Sequence, residues 1–462
     1  MGEIRRNQRT VTIATAMATN PDRSIPKMFL QAYDIKAAYN FFSHPEATPD
    51  NLQLAHREVV LEQMHLPGRC LLLEDTSEMS WSGKLPIAGL GPIGPGASGL
   101  QGFHLHSVLA ARWCWKAEET DHWPGRPAVE VLGLPVQHYH VREPRPRSEP
   151  VNNSKALKYR ARESQWWEQA GETIGPAPTN EQTEWTRVCD RGADIYELLV
   201  SCTELNHRFV IRASQDRCLS DEQGRAVTGK LFVTARSQAN LGEFALELRA
   251  RPGQRARTAQ LRVSAVKVWL RAPQRPGKGP GYLAPVRSTV VRIWEADSPP
   301  GAEALEWMLL TDWQVENYAQ ALEVALVYSM RWLIEEFHKA LKTGNKAEEL
   351  QLETAEALFA AIAIKSVVAL RLLDLRERVR LAPDSPAEQS GLNDLELAVL
   401  RELLNRPIKT VGEVALAIGR LGGHLNRKGD GMPGWQTLFC GRAKLNDLVE
   451  GARIAFKLKK FG

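Results

Sequence analysis

The hydrophobic pattern of the chain changes character several times over its 462 residues. Apolar positions recur at helical spacing over residues 1–66, where Thr48 is a probable helix cap by its place before PDN. From residue 67 onwards short apolar runs of strand length follow one another. After residue 304 the spacing becomes helical again and stays so to the C-terminus. The pattern predicts an α/β protein with helical N- and C-terminal regions.

The strand-like part divides into two stretches. In the first, the segments RCLLLED, FHLHSVLAARWCW and AVEVLGLPVQHYHV predict three successive strands, and a strand ending at Asp190, a helix from Ala193 and the strand HRFVIR follow. In the second, residues 226–304, four more strands are predicted at KLFVTAR, FALELRAR, TAQLRVSAVKVWLR and STVVRIWEA. Gly- and Pro-rich turns separate them. We therefore predict a β-rich insertion that interrupts the α/β domain.

The segment VYSMRWLIEEFHKALKTG predicts one amphipathic helix from Val327 to Gly344. At about 100° per residue its apolar residues share one face, and four polar residues fall within about 60° of each other on another. These four are Tyr328, Arg331, Glu335 and Lys342. Taken alone, the stripe is typical either of a solvated helix face with an i,i+4 ion pair or of a functional face.

Charge and cysteine usage limit the classes of function. The net charge of +5 is modest, but no acidic residue occurs between Glu247 and Glu295, where eleven Arg and Lys side chains lie. Such a block predicts a surface that binds phosphates, although a solvated basic edge is the simpler alternative. The six cysteines form no CxxC pair and predict reduced packing residues. No apolar run is long enough for a membrane span, and MGEIRRNQRT does not read as a signal peptide, so we expect a cytoplasmic protein.

Three carboxylates stand where chemistry is expected. Asp75 and Asp190 each follow an apolar strand run, and ligands gather where the strands of α/β sheets end. Glu335 lies on the helix face that the core does not use. Carboxylates from separate elements are what a two-metal phosphoryl-transfer site requires. From the residues alone the assignment stays open, because Glu74 is as well placed as Asp75.

Three segments carry a resemblance to a known family. LEDTSEMSW, VCDRGADI and YSMRWLIEEFHKALKTG resemble the acidic signatures of the bacterial cut-and-paste DDE transposases of insertion sequences, and the third matches the pattern YxxRxxxExxxxxxK without a gap. The order of the segments and the β-rich insertion also resemble the family. The resemblance implies an RNase H-like fold in which Asp75, Asp190 and Glu335 bind two Mg²⁺ ions, with Mn²⁺ as a possible substitute.

The resemblance also implies DNA contacts for five other residues. Arg331 and Lys342 would bind phosphates beside the cut strand, and Tyr328 would bind a backbone phosphate near the element end. Members of this family cut the second strand through a DNA hairpin, and Trp307 matches the position that stacks on an extruded base. Arg212 matches a basic residue near the DNA. For Trp307 and Arg212, packing within the fold is the alternative.

The expected function is transposition by a homodimer in a synaptic complex with double-stranded element ends and target DNA, in the bacterial cytoplasm at the nucleoid. Two alternatives stay open: a non-catalytic regulator derived from a transposase, favoured by the short sequence before the first helical module, and an RNase H-like nuclease without strand transfer. The expected division is an end-binding domain (1–66), a catalytic core in two parts (67–225 and 305–375), the basic insertion (226–304) and a dimerisation region (376–462).

Overall fold

One mixed β-sheet organises the central part of the chain. The computed structural model describes residues 4–29, 31–82, 86–94, 99–114, 127–143, 163–248, 255–274, 283–299, 301–427 and 430–458. Within them the sheet has twelve strands in the order β2-β3-β1-β5-β6-β12-β11-β10-β7-β8, with β4 beside β3 and β9 beside β10. The strands are β1 Gly68–Trp81, β2 Gly91–Pro92, β3 Gln101–Trp113, β4 Val129–His140, β5 Thr183–Cys189, β6 Arg208–Arg212, β7 Cys218–Ser220, β8 Ala226–Lys230, β9 Gly242–Leu248, β10 Arg257–Leu270, β11 Val286–Glu295 and β12 Glu306–Thr311.

Helices surround this sheet and form both ends of the described chain. Thr48 caps the fourth helix as predicted, since its side chain accepts a hydrogen bond from the Asn51 amide. The helices are α1 Ile4–Thr19, α2 Ile25–Met28, α3 Ala32–Phe42, α4 Pro49–Met64, α5 Trp166–Ile174, α6 Tyr196–Glu204, α7 Leu231–Arg236, α8 Tyr318–Ser329, α9 Trp332–Lys339, α10 Ala355–Leu381, α11 Asp394–Leu404, α12 Val411–Leu421 and α13 Trp435–Leu458. The prediction of a mixed α/β fold with helical ends is confirmed.

The middle of the sheet combines parallel and antiparallel pairs. Strands β1, β5 and β6 are parallel neighbours, whereas β3 and β12 run antiparallel to them. Strands β6 and β12 are direct neighbours in the sheet, although strands β7 to β11 lie between them in the sequence. Within residues 226–304, the predicted insertion, β10 and β11 continue the same sheet. KLFVTAR, predicted as a strand, contains helix α7 instead.

Alternation along β1 separates the two faces of the sheet. Leu71 and Leu73 belong to the large core that includes α8, α9 and α10, whereas Cys70 and Leu72 pack on the other face with α4 and α5. Successive side chains of a strand point to opposite faces. Near the start of β1, the odd-numbered residues therefore face the large core.

Helix α10 joins two cores. Its Leu373 packs in the large core, while Leu375 and Val379 belong to the core of the C-terminal helices. The boundary expected between residues 375 and 376 falls inside this helix, which runs without interruption to Leu381. The large core and the core of the C-terminal helices thus share one continuous helix.

All six cysteines are free. Cys70, Cys189 and Cys202 are buried, as expected of packing residues, but Cys114, Cys218 and Cys440 are exposed, so the packing prediction was wrong for these three. Among the described helices, none has the length and apolar character needed to cross a membrane.

Candidate active site

The two aspartates lie side by side in the sheet. Parallel pairing of β1 with β5 ends at Glu74 opposite Cys189, and Asp75 and Asp190 are the next residue of each chain segment. Asp75 was predicted at the end of a strand, but β1 continues to Trp81 beside β3. It is β5 that ends. Asp190 then caps a 3₁₀ turn by accepting a hydrogen bond from the Gly192 amide.

Glu74 points to the opposite face of the sheet. It is fully buried and receives hydrogen bonds from Arg187, while its Oε1 lies 2.8 Å from His106 Nε2. Although burial alone would raise it, Arg187 and His106 hold the pKa of Glu74 below its usual value. Glu74 is therefore engaged in a buried ion pair with Arg187, whereas Asp75 shares the face of helix α9.

The predicted helix over 327–344 is broken. Helix α8 ends at Ser329, α9 begins at Trp332, and residues 340–344 form a π-helical turn. At the break, backbone amides donate to the carbonyl three residues earlier. The Leu333 amide, for example, donates a hydrogen bond of 2.9 Å to the Met330 carbonyl. Tyr328 thus belongs to the preceding helix and is buried at 7% exposure. The single polar stripe derived from an unbroken helix was wrong for Tyr328.

Glu335 and Arg331 form an ion pair next to Asp75. Both side chains are partly buried, at 32% and 15% exposure, so this is not a freely solvated helix face. Burial raises the pKa of Asp75 to about 7, and the charges of Asp190 and Glu335 add to the shift. Arg331 opposes it. The charges of Asp75, Asp190, Glu335 and Arg331 therefore act on one another at a single site.

The donor set has the chemistry of a hard divalent cation site, but the side chains are not arranged as a closed one. No three His, Cys, Asp or Glu side chains of the described residues converge closely enough to hold a metal ion. Two physical causes are visible: Glu335 is engaged by Arg331, and the carboxylates of Asp75 and Asp190 repel each other. Burial raises the pKa of Asp75, and the negative charges of Asp190 and Glu335 raise it further. Carboxylate oxygens that carry uncompensated negative charge are suitable ligands for Mg²⁺.

Lys342 lies on the π-helical turn and is held against β1. Its Nζ donates a hydrogen bond of 2.7 Å to the carbonyl of Glu78 and lies 3.3 Å from Glu348 Oε1. The side chain is 30% exposed. Lys342 therefore remains accessible to a phosphate while being fixed to the strand that carries Asp75.

Trp307 and Tyr328 contact each other across α8 and β12. Their ring centroids are 5.9 Å apart, and Trp307 is only partly buried against the large core. Arg212, on the neighbouring strand β6, donates a hydrogen bond of 3.1 Å to the carbonyl of Glu306. Trp307 thus combines a packed edge with an accessible one, and Arg212 lies at the same end of the sheet.

The basic block predicted from sequence is partly paired with acids in three dimensions. Acids from other segments pair with its members: Glu295 with Arg257, Glu243 with Arg262, Glu316 with Lys267 and Glu306 with Arg292. The described residues supply no ion-pair partner to Arg255, Arg271 or Arg287. Four of the predicted members, Arg249, Arg251, Arg275 and Lys278, lie outside the described residues. Four of the seven described members are thus paired with acids, and phosphate binding by this surface stays a prediction.

Three residues near the site were missed by sequence reasoning. Trp332, next to Arg331, is 53% exposed and presents an indole to solvent. His338 is buried, and its Nδ1 lies 3.9 Å from Asp75 Oδ2. Burial lowers the pKa of His338 to about 3, so it is neutral. Glu348 contacts both Lys342 and Ser80. Only Trp332 had a sequence signal, as a large aromatic residue within the polar part of the motif.

Comparison with known families matches both ends of the chain. Residues 1–47 match a family model described as transposase DNA-binding, and residues 367–462 match one described as the transposase Tn5 dimerisation domain. Asp75, Asp190 and Glu335 lie outside the matched segments. The two matches support a transposase of the Tn5 type that binds DNA and forms dimers.

Proposed function

We propose that this protein is a metal-dependent DNA transposase that excises a mobile element and joins its 3′-OH ends to target DNA. The observation that carries the proposal is the placement of Asp75 beside Asp190 where the parallel pairing of β1 and β5 ends, with the charge of Glu335 acting on Asp75. The transposase domains matched at both ends of the chain provide independent support. The core around these acids is proposed to be RNase H-like.

Asp75, Asp190 and Glu335 would hold two Mg²⁺ ions, or Mn²⁺ in their place. Bound there, the cations would activate the attacking oxygen and stabilise the leaving one in each phosphoryl transfer. Glu335 would have to change partner to bind a cation, because Arg331 engages it in the structure. Arg331, once released, can donate two parallel hydrogen bonds to a phosphate. The protein thus exchanges an internal ion pair for contacts with the cut strand.

The second strand would be cut through a hairpin. Attack by water frees the 3′-OH at the element end and leaves a 5′-phosphate on the flanking strand. This hydroxyl then attacks the opposite strand, which closes the hairpin and releases the flanking 3′-OH. A second water opens the hairpin and frees the element's 3′-OH for joining to target DNA. A hairpin bends the DNA so sharply that a base leaves the stack. The accessible edge of Trp307 would stack on that base, with Tyr328 behind it and Arg212 near the backbone. Tyr328 is too buried for a wide contact, so we assign it support of Trp307 and at most one phosphate contact.

Two copies of the chain would act together on two element ends. The matched DNA-binding and dimerisation segments support a homodimer on DNA, and we propose that this dimer forms within a synaptic complex in the bacterial cytoplasm. The unbroken helix α10 would transmit the position of the dimer interface to the catalytic face, because it packs in both cores.

Incubation of the protein with a duplex that carries the ends of its own element and Mg²⁺ tests this proposal. We expect nicked strands, hairpins and joined products. Asp75→Asn, Asp190→Asn and Glu335→Gln should each reduce nicking by roughly a thousandfold or more while end binding persists, since these acids act on transition-state charge. Glu78→Gln is the matched control, because Glu78 lies on the same strand with half of its side chain exposed.

The outcomes separate the rival functions. Nicks without hairpins or joined products would favour a nuclease, and end binding without any cutting would favour a regulator. Near-normal nicking by any of the three variants would remove that residue from the proposed metal site.

A further inference from the structure

The free edge of strand β1 is covered by side chains instead of a strand. On one side β1 pairs with β3 as far as Trp81, but on the other side β5 stops opposite Glu74. Beyond that point the Ser80 amide donates a hydrogen bond of 2.8 Å to Glu348, and the Glu78 carbonyl accepts one from Lys342. Two backbone groups that a neighbouring strand would have bound are thus satisfied by one acid and one base.

Glu348 is anchored independently of Lys342. Its Oε1 also accepts a hydrogen bond of 3.0 Å from Ser80 Oγ, so two donors of one residue hold the same oxygen. The same oxygen lies 3.3 Å from Lys342 Nζ. Glu348 is therefore a fixed negative charge at the point where the ammonium group of Lys342 ends.

The donors of Lys342 can be accounted for one by one. An ammonium group has three N–H donors. One binds the Glu78 carbonyl and a second faces Glu348. The third has no partner assigned in the described structure, and the side chain is partly exposed on the catalytic face. Lysine is ordinarily a flexible point charge, and here two contacts restrict it to one direction.

We propose that Glu348 is a positioning residue that orients Lys342 so that its remaining donor meets a DNA phosphate during strand cutting. The proposal rests on the proposed function, because it assigns the substrate as double-stranded DNA at the element end. It reverses the usual expectation for an acid at a DNA surface. Removing such an acid should ordinarily strengthen binding and leave the reaction intact, whereas loss of a positioning acid impairs the reaction.

The chain contains a matched control next to Glu348. Glu349 has a side chain that is 67% exposed and lies 3.4 Å from Lys346, so Glu349→Ala removes the same charge from a neighbouring lysine. With a saturating element-end duplex and Mg²⁺, we expect Glu348→Ala to nick about 10- to 100-fold more slowly, the cost of a displaced binding group. Glu349→Ala should nick normally. Neither variant should bind the duplex more weakly.

Two further variants exclude a general loss of structure. Glu348→Gln keeps an oxygen for Ser80 but lacks the charge that orients Lys342, and we expect about a tenfold loss of nicking without a change in Tm. In a Lys342→Ala background, Glu348→Ala should cause no additional loss, because the two residues act as one unit. Normal nicking by Glu348→Gln, or additive losses in the double variant, would overturn the proposal.

A chemical readout tests the orientation of Lys342 without relying on activity. The rate of modification of each lysine by an amine-reactive reagent can be measured by peptide mass spectrometry. Glu348→Ala should accelerate modification of Lys342 several-fold and leave that of Lys346 unchanged. Glu349→Ala should accelerate modification of Lys346 and leave that of Lys342 unchanged. Unchanged reactivity of Lys342 would overturn the positioning role whatever the nicking rates. Altered reactivity in a protein that cuts no duplex would instead locate the failure in the proposed function.

Discussion

Asp75 lies beside Asp190 because each residue directly follows the last paired position of two parallel strands, Glu74 and Cys189. Since β1 continues beyond this point, Asp75 is partly enclosed by the sheet and helix α9, while Asp190 starts a turn. The closeness of two carboxylates, with Glu335 near them, is unfavourable for the isolated protein. The charge repulsion lies at the proposed cation site.

This repulsion should make Asp75→Asn more stable than the natural protein. The Thr76 amide donates to Asp75 Oδ1 at 2.9 Å, a bond that Asn retains. Because burial and neighbouring acids raise the pKa of Asp75 to about 7, we expect the unfolding free energy at pH 8 without metal to rise by about 1–3 kcal/mol. Urea unfolding measures the change, with Glu78→Gln as control. A destabilised Asp75→Asn would mean that the acids do not repel.

Glu74 should behave in the opposite way. Its substitution by Ala leaves the fully buried Arg187 without a carboxylate, and breaking such a pair costs about 3–5 kcal/mol. Glu130→Ala removes an exposed partner of Arg112 and should cost less than about 1 kcal/mol. Tryptophan fluorescence in urea compares the two variants. Equal stabilities would show that Glu74 is not a structural ion pair.

Trp307→Ala should separate the two cutting steps. Stacking of an aromatic ring on a base contributes about 1–3 kcal/mol, equivalent to roughly 5- to 150-fold in rate. Hairpin formation should slow by this factor while the first nick stays nearly normal, so denaturing gels should show nicked ends accumulating. Trp294→Ala is the control, since Trp294 pairs with Glu306 in the sheet and thus faces the other side from Trp307. Equal losses of nick and hairpin would place Trp307 in the core.

Basic residues of the insertion should contribute to DNA binding according to their partners. The described residues offer no ion-pair partner to Arg255, Arg271 or Arg287. Changing any one of them to Ala should make the negative slope of log K against log salt less steep by about 0.9 per phosphate contact. Changing Arg262 or Lys267 to Ala should alter the slope less, because these residues already pair with Glu243 and Glu316. Binding titrations at several salt concentrations test this order. An unchanged slope in all five variants would assign the insertion no DNA contact.

Lys365 should make stability depend on alkaline pH. Its buried Nζ donates to the carbonyls of Pro21 and Asn345, at 2.7 and 2.6 Å. Burial lowers its pKa to about 8 from 10.5. Between these values the unfolded chain binds more protons, so stability rises with pH and the full cost of the buried charge is present below pH 8.

Relative to Lys365→Met, the natural protein should therefore gain up to about 3 kcal/mol of unfolding free energy from pH 8 to 10.5. Chemical unfolding at several pH values measures the difference. A constant difference between the natural protein and Lys365→Met would mean that Lys365 keeps an ordinary pKa.

Local sequence determined the elements and the order of the motifs. Hydrophobic spacing predicts the helical ends and most strands, and the turn residues after Thr48 predict its cap, because amphipathic periodicity and capping act within a few residues. It failed at Leu231–Arg236, where six residues without a distinctive period form a helix, and at Met330–Arg331, where a tight turn breaks a helix whose apolar pattern continues.

Tertiary structure decided which charged groups act together. Glu74 and Asp75 are adjacent in sequence, and only the alternation of β1 against two different cores sends one to Arg187 and the other to the proposed metal site. The arginines of the insertion looked unpaired because their acids, such as Glu243 and Glu306, lie outside the block in sequence. The role of Glu348 depends on the sheet, because β5 ends before β1 does and leaves backbone groups of β1 for Glu348 to bind. Coulomb and hydrogen-bond partners depend on distance in space, and a sequence records only distance along the chain.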